Sequence, residues 1–344
     1  MITESVGMKQ SPSRHEPPGK RIRHTAIASP GLAGSRLDLV ASSLFADYSR
    51  ARLQKWIRSG ELTVNGHCVK PTYKITGNEV LSIDAEPEFD DSVRPQAMEL
   101  DVIHSDRDLL VINKPVGLVV HPAAGNRDGT LQNALLHFDP GLAALPRSGI
   151  VHRLDKDTSG VMVVARSLRA HTSLVSQLHS RSMSRVYETI CRGEIRCAAT
   201  VDEPIGRHPR DRKRMAVVNT GRSSVTHFRI LQGFQGFTHL EVSLETGRTH
   251  QIRVHLSHLG FPVVGDPVYG RNPRSVKGMP PELMDAVRLF PRQALHARTL
   301  ALQHPDEGRQ LEFHAPLPAD MSQLLALLRQ TVQQNTQQKT RQKK

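Results

Sequence analysis

One stretch of the chain gathers potentially reactive side chains between apolar ones. Ser148-Gly149-Ile150-Val151-His152-Arg153-Leu154-Asp155-Lys156-Asp157-Thr158-Ser159-Gly160 leads into the apolar run Val161 to Ala165. Arg153 and Lys156 flank Asp155, and neighbouring cations favour the ionised carboxylate. Such a group can act as a nucleophile or a general base. The same residues also suit a structural ion pair or a helix cap. His152, Asp155 or Asp157, and Ser159 supply the residue types of a hydrolytic triad, but no G-x-S-x-G elbow accompanies them. Asp155 and Asp157, two apart on a strand, could present paired carboxylates to a glycoside. With four Tyr and one Trp, the chain lacks the aromatic platform a sugar site uses.

Two further clusters are basic. Arg207-His208-Pro209-Arg210-Asp211-Arg212-Lys213-Arg214 holds five cations in eight residues. It reads as a solvated loop or, with a nucleic-acid substrate, as a phosphate clamp. Arg50, Arg52 and Lys55 lie in a second helical segment, with Arg58 nearby. Their spacing alone fits a solvated helix face as well as an RNA-facing one.

These residues need elements to hold them. Leu37, Val40, Ala41 and Leu44 recur at helical spacing, and a second helix is expected from a Ser49 N-cap through Ile57. Leu62-Thr63-Val64, Asn65-Gly66 and His67-Cys68-Val69 predict a strand, a two-residue turn and a return strand. Further on, strands are expected at 108–115, 160–165, 185–191, 227–231 and 239–244. Helices are expected at 131–137, 168–178, 251–259 and 321–328. Gly160 to Ala165 is apolar at nearly every position, so it reads as a strand buried on both faces. Strands follow one another directly. The fold class is therefore α+β: a small N-terminal α/β module, then a larger domain with a mixed, largely antiparallel sheet and flanking helices. The boundaries are a disordered basic extension at 1–34, the small module at 35–85, a linker at 86–99, the large domain at 100–330 and a basic Gln/Lys-rich tail at 331–344.

The 344 residues carry a formal charge of +13, with 38% apolar and 23% charged residues. That composition supplies a core and excludes wholesale disorder. No apolar run approaches the ~18–20 residues a membrane span needs. The first 23 residues lack an apolar h-region, which argues against a secretory signal. Three unpaired-looking cysteines exclude a disulfide framework and a structural zinc site, and fit a reducing, cytoplasmic compartment. The charge points to an anionic partner. It is uneven: +3 over residues 1–34, −2 over 35–93, +8 over 94–331 and +4 over 332–344. The few aromatics disfavour an RRM-like stacking surface. No dinucleotide fingerprint or phosphate loop is present, so no nucleotide cofactor is expected.

Two resemblances sharpen this. Arg36-Leu37-Asp38, Ser49-Arg50-Ala51-Arg52 and Val64-Asn65-Gly66 resemble the S4 RNA-binding domain, which implies an RNA-facing role for Arg50, Arg52 and Lys55. His152-Arg153-Leu154-Asp155, followed by Lys156-Asp157-Thr158-Ser159-Gly160, resembles the signature of the RluA-type pseudouridine synthases. Arg185-Val186-Tyr187-Glu188, Glu245 to His255, Gly265 to Gly270 and Arg292 to Ala297 resemble that family's other segments in the same order. The likeness runs from about Ser35 to Leu328.

The resemblance implies RNA uridine isomerisation to pseudouridine, without a cofactor; the alternatives are the same reaction on another rRNA site or a tRNA, and a non-catalytic RNA-binding ribosome-assembly factor using the same surfaces. Asp155 would be the catalytic aspartate, Tyr187 would stack on the target base, and Arg253 would pair with Asp155. Arg153 would fill the space left by a flipped base. His152, Arg248 and the 207–214 cations would bind substrate, with His250 and His255 structural or phosphate-contacting. His121 to Asn126, Arg147 to Thr158 and Arg207-His208-Pro209 bring the chain closest to the subgroup acting on the large ribosomal subunit. That implies 23S rRNA, at the loop of helix 69, as substrate. No metal or membrane is expected from the composition, and a monomer is the default where the sequence encodes no oligomeric state.

Overall fold

A computed structural model describes residues 21–45, 48, 50–86, 93–122, 125–211, 214–270 and 279–342, the last eight as backbone only. The chain divides into two compact units, Met1–Asp90 and Asp91–Lys344.

The first unit is a three-stranded antiparallel sheet with two helices. Its elements are β1 (Ile22–Ile27), α1 (Leu37–Leu44), α2 (Arg50–Ser59), β2 (Leu62–Val64) and β3 (Val80–Ala85), with strand order β1-β3-β2. Leu37, Val40 and Ala41 of α1, and Leu53, Trp56 and Ile57 of α2, are buried as the helical spacing requires. The Ser49 cap expected for α2 lies outside the described residues.

Two expectations change here. Residues 22–27 do not belong to a disordered extension, because β1 pairs with β3 along its whole length, from Ile22↔Ala85 to Ile27↔Val80. An edge strand of this kind is held by backbone hydrogen bonds and shows water most of its side chains, so it lacks an apolar pattern. Asn65 and Gly66 do turn with positive φ, but the return strand reduces to one bridge, Val64↔His67. The lasting partner of β2 is β3, which buries Leu81 and Ile83 where His67 and Cys68 would leave polar groups.

The second unit is built on a nine-stranded sheet. Its strands are β4 (Val102–Ser105), β5 (Leu109–Lys114), β6 (Ser159–Ala165), β7 (Ser184–Arg192), β8 (Ala199–Asp202), β11 (Val225–Phe234), β12 (Phe237–Leu244), β13 (Leu295–Gln303) and β14 (Gln310–His314). A separate hairpin, β9 (Ile205–Arg207) and β10 (Met215–Val217), lies between β8 and β11 in the chain. The order is β4-β5-β6-β13-β7-β12-β11-β8, with β14 on β13. Every pairing is antiparallel except β13 with β6. Helices α3 (Leu131–Phe138), α4 (Leu168–His179), α5 (Gln251–His258), α6 (Pro281–Arg288) and α7 (Ala319–Gln342) complete the unit.

The central strand β6 is buried at every residue. Met162 and Val164 enter a large core with Tyr187, Leu240 and Leu295, whereas Val161 and Val163 face a second core with Leu174 and Leu300. Gly160 sits where β13 crosses. Its φ is +116, and a Cβ there would stand 2.1 Å from the Ala297 carbonyl oxygen. Only glycine admits that approach.

Here too the expected boundaries move. Val93 is buried in the large core, and the Asn133 side chain donates to the Arg94 carbonyl at 2.7 Å, so the second unit begins inside the expected linker. The helix expected at 321–328 continues as α7 through Gln342. Its first turns bury Met321, Leu324, Leu325 and Leu328. Beyond them, Gln and Lys are good helix formers with no Gly or Pro to stop propagation. Among the described residues, no helix is long and apolar enough to cross a membrane.

Candidate active site

The loop after Ile150 runs beside β6 where β13 has diverged from it. Parallel pairing with β13 covers only Ser159 and Gly160, and Ile150 bridges Val164 further along. The backbone N–H of Val163 donates to His152 Nε2 at 3.1 Å. Burial and the nearby Arg185 push this imidazole down to about 3, so it stays neutral and able to accept. His152 thus fixes the loop, and its ring also lines the adjoining cleft.

The residues after Asp155 are gripped from several sides. Lys114 ends β5 with its ammonium buried, donating to the carbonyls of Pro115 (2.7 Å), Leu118 (2.9 Å) and Lys156 (2.9 Å). Burial brings its pKa down to about 8, against the attraction of Asp157 and Asp155. Arg292 Nη1 reaches the Asp157 carbonyl at 3.3 Å, and Gln293 donates to the Thr158 hydroxyl at 3.1 Å. Arg292 is itself held by Asp320, at the start of α7, at 2.7 and 2.8 Å. Sequence reasoning gave Lys114 no part in the site. The available signal was a lysine closing an otherwise apolar strand before a proline.

Asp155 projects into a cleft of about 640 Å³ lined by residues from four of the five family-like segments, those at 152–160, 185–188, 245–255 and 292–297. Its Oδ2 accepts from Arg253 Nη1 at 2.8 Å. Arg253, on α5, also donates through Nε and Nη2 to Asp266 at 2.7 and 3.0 Å. Burial opposes the Arg253 charge, yet Asp266 and Asp155 together raise its pKa above the ordinary value. Burial likewise works against the charge of Asp266. Arg253 and the backbone N–H groups of Tyr269 and Val268 nevertheless hold that carboxyl below its usual range. Arg253 is a fixed cationic bridge, and Asp155 takes one of its prongs.

Tyr187, in the middle of β7, forms part of the cleft wall and is 7% exposed. Burial raises its phenol above the ordinary value, so the hydroxyl is un-ionised. His250 caps α5 in the left-handed region, φ 57, uncommon for a residue with a side chain. Its Nε2 stands 3.9 Å from Asp155 Oδ1. Its Nδ1 lies 2.9 Å from the Tyr269 hydroxyl, which also accepts from the Met215 N–H at 2.9 Å. His255 is structural, packed between the Thr226 hydroxyl and the Glu203 carbonyl.

The substrate-binding candidates divide. Arg153 is exposed and, with Arg248, lines the cleft. Arg207 and Arg210 stand exposed on the β9–β10 hairpin, outside the cleft lining, while Arg212 and Lys213 lie outside the described residues. Arg214 packs inward, its guanidinium 5.3 Å from the Tyr269 ring centre. In the first unit, Arg50 is exposed but also paired. It donates to the buried Asp38 at 2.6 and 3.1 Å, alongside Arg36 at 3.0 and 3.1 Å. A buried carboxylate must be paired, and this one draws both arginines. Hydrogen bonds from Arg36 come first in holding the Asp38 carboxyl far below its ordinary range, with Arg50 and Gln54 adding to them. Arg52 lies over Trp56 at 5.5 Å, and Lys55 is exposed.

Six arginines line the cleft against two carboxylates, so it attracts anions. Comparison with known proteins bears directly on this site. A model described as "RNA pseudouridylate synthase" matches residues 108–258, and one described as "S4 domain" matches residues 35–81. A Pseudomonas aeruginosa protein named "Ribosomal large subunit pseudouridine synthase D" is 52% identical over 87% of this chain and 93% of its own length. An Escherichia coli K12 protein of the same name is 49% identical over 90% of this chain and 95% of its own. The chain belongs to the RluA-type pseudouridine synthase family. A solved structure, "Human RNA Pseudouridylate Synthase Domain Containing 4", superposes with a TM-score of 0.52 at 26% identity, covering 67% of this chain and 93% of that one.

For a pseudouridine synthase, the Tyr269 contacts carry a prediction. Tyr269→Phe keeps the ring against Arg253 (5.2 Å) and Arg214 but removes the hydroxyl shared by His250 and Met215. One such hydrogen bond is worth about 0.5–1.5 kcal/mol. The variant should fold, and kcat should fall by up to about tenfold. Steady-state kinetics alongside a melting curve checks this, and an unchanged kcat would show that the hydroxyl does not position His250.

Proposed function

We propose that this pseudouridine synthase modifies uridines of 23S rRNA, with the loop of helix 69 as its target. The names of the two bacterial relatives support the large-subunit substrate. The observation that carries the chemistry is Asp155, held at 2.8 Å by Arg253 beside Tyr187 in an arginine-lined cleft.

The target base leaves its stack at a cost of a few kcal/mol. Arg153, exposed and without an ion pair among the described residues, takes the vacated space. Tyr187 stacks on the flipped uracil, an interaction worth about 1–3 kcal/mol. Asp155 then either attacks C1′ or removes the 2′ proton on the way to a glycal. In both routes the N1–C1′ bond breaks, the uracil turns, C5 joins C1′, and the C5 hydrogen leaves as a proton while N1 gains one. Nothing is oxidised or reduced overall. Arg253 keeps Asp155 ionised and aimed. The S4 domain supplies a second RNA contact, with Lys55 among its exposed cations.

The target is tested by carbodiimide mapping of rRNA from wild-type and deletion strains. Loss of stops in the helix 69 loop is expected in the deletion strain. Unchanged 23S rRNA together with a lost tRNA pseudouridine would overturn the substrate assignment.

A further inference from the structure

We propose that Arg185 and Arg248, supported by Arg181, form a subsite for the RNA phosphodiester flanking the flipped uridine. The proposal rests on the uridine-isomerising reading of the cleft and names the chemistry of one of its walls.

Arg185 precedes Tyr187 by two residues on β7, so both side chains leave the same face of the strand, about 6.6–6.8 Å apart. A stacked base and the phosphate of its own nucleotide are separated by a comparable span. Arg185 lines the cleft yet is only 7% exposed. Its Nη2 donates to the carbonyls of Glu245 (3.2 Å) and Leu244 (3.4 Å), and its Nε is buried with no partner. No carboxylate pairs with it among the described residues. A buried cation with an unused donor is costly unless something anionic arrives.

The backbone around it is shaped for that guanidinium. The 245–248 segment closes over it: a Cβ on Gly247 would stand 2.7 Å from Arg185 Nη1. That segment delivers Arg248, whose Nε donates to the Ser223 carbonyl at 3.3 Å. Burial, then Arg222 and Arg181, lower the Arg248 pKa, as like charges held together do. Glu245 is the one carboxylate in the group and is already shared by Arg181 and His227. The excess positive charge and the planar donor fork suit an oxyanion with several acceptors, which in RNA is the phosphodiester.

The test uses the full-length protein and a synthetic hairpin of the helix 69 loop. Methylphosphonate, which is uncharged, replaces the linkage 5′ or 3′ of each loop uridine in turn. Binding is read by fluorescence anisotropy and turnover by tritium release from C5. For wild type, neutralising one flanking linkage should weaken binding about 10-fold or more. Arg185→Gln should weaken binding to the native hairpin by a similar factor and lose most of the sensitivity to that linkage. Arg248→Ala, at a less buried position, should do the same if the first variant melts early. The proposal fails if both variants keep the full wild-type sensitivity, or if no linkage matters to wild type. Hairpin binding without tritium release would instead defeat the uridine-isomerising reading, while the anisotropy series would still decide the subsite.

Discussion

Asp155→Asn should abolish tritium release from [5-³H]uridine-labelled 23S rRNA while leaving RNA binding intact. The substitution preserves size and keeps an oxygen for Arg253 Nη1, which lies 2.8 Å from the native carboxylate. What disappears is the charge needed to attack C1′ or to take the 2′ proton. Catalysis by a positioned base is worth about 10²–10⁴-fold, and loss of a nucleophile costs at least as much. Binding should hold or tighten, because the cleft loses one of its two carboxylates and keeps its arginines. A gel-shift titration run beside the release assay separates the two effects. Release at the wild-type rate would remove Asp155 from the chemistry.

The second large effect falls on Arg253. Arg253→Lys retains a positive charge but not the fork that spans Asp155 and Asp266, whose contacts lie at 2.8, 2.7 and 3.0 Å. A lysine ammonium is a point charge and cannot hold both carboxylates in these directions. It should settle on the buried Asp266, leaving Asp155 free to turn. Misplacement by about 1 Å costs on the order of 10²-fold, so kcat should fall by roughly that factor. Arg253→Met should go further and destabilise the fold by about 3–5 kcal/mol, since Asp266 then remains buried without its cation. Denaturant titrations with single-turnover kinetics distinguish the two variants. A lysine variant with wild-type kcat would show that the bridging geometry is dispensable.

Much of this could be read in the residues themselves. The buried strand at 160–165, the helices at 131–137 and 168–178, and the mixed sheet followed from periodicity, which encodes local structure directly. Family resemblance singled out Asp155, Tyr187 and Arg253, and all three line one cleft. Placement of Arg50 did not follow. Its spacing suited an RNA-facing helix, and it stays exposed, but its pairing with a buried carboxylate twelve residues earlier, Asp38, left no trace in that spacing. Strand β1 and the length of α7 were missed for a related reason: an edge strand and a polar helical extension show no apolar period.

The sequence by itself determined the family, the candidate for the reacting carboxylate and the order of the segments around it. Those properties live in contiguous motifs, where chemistry restricts the residue types. Tertiary structure alone decided the division of Arg253 between Asp155, 98 residues away, and Asp266. It also decided the buried Lys114 beneath the Lys156 carbonyl, the meeting of His250 with the Tyr269 hydroxyl, and the unpartnered Nε of Arg185 beside Tyr187. Each of these depends on which segments the tertiary fold brings together. That meeting is settled by packing and by the pairing of buried polar groups, neither of which leaves a local period in the chain.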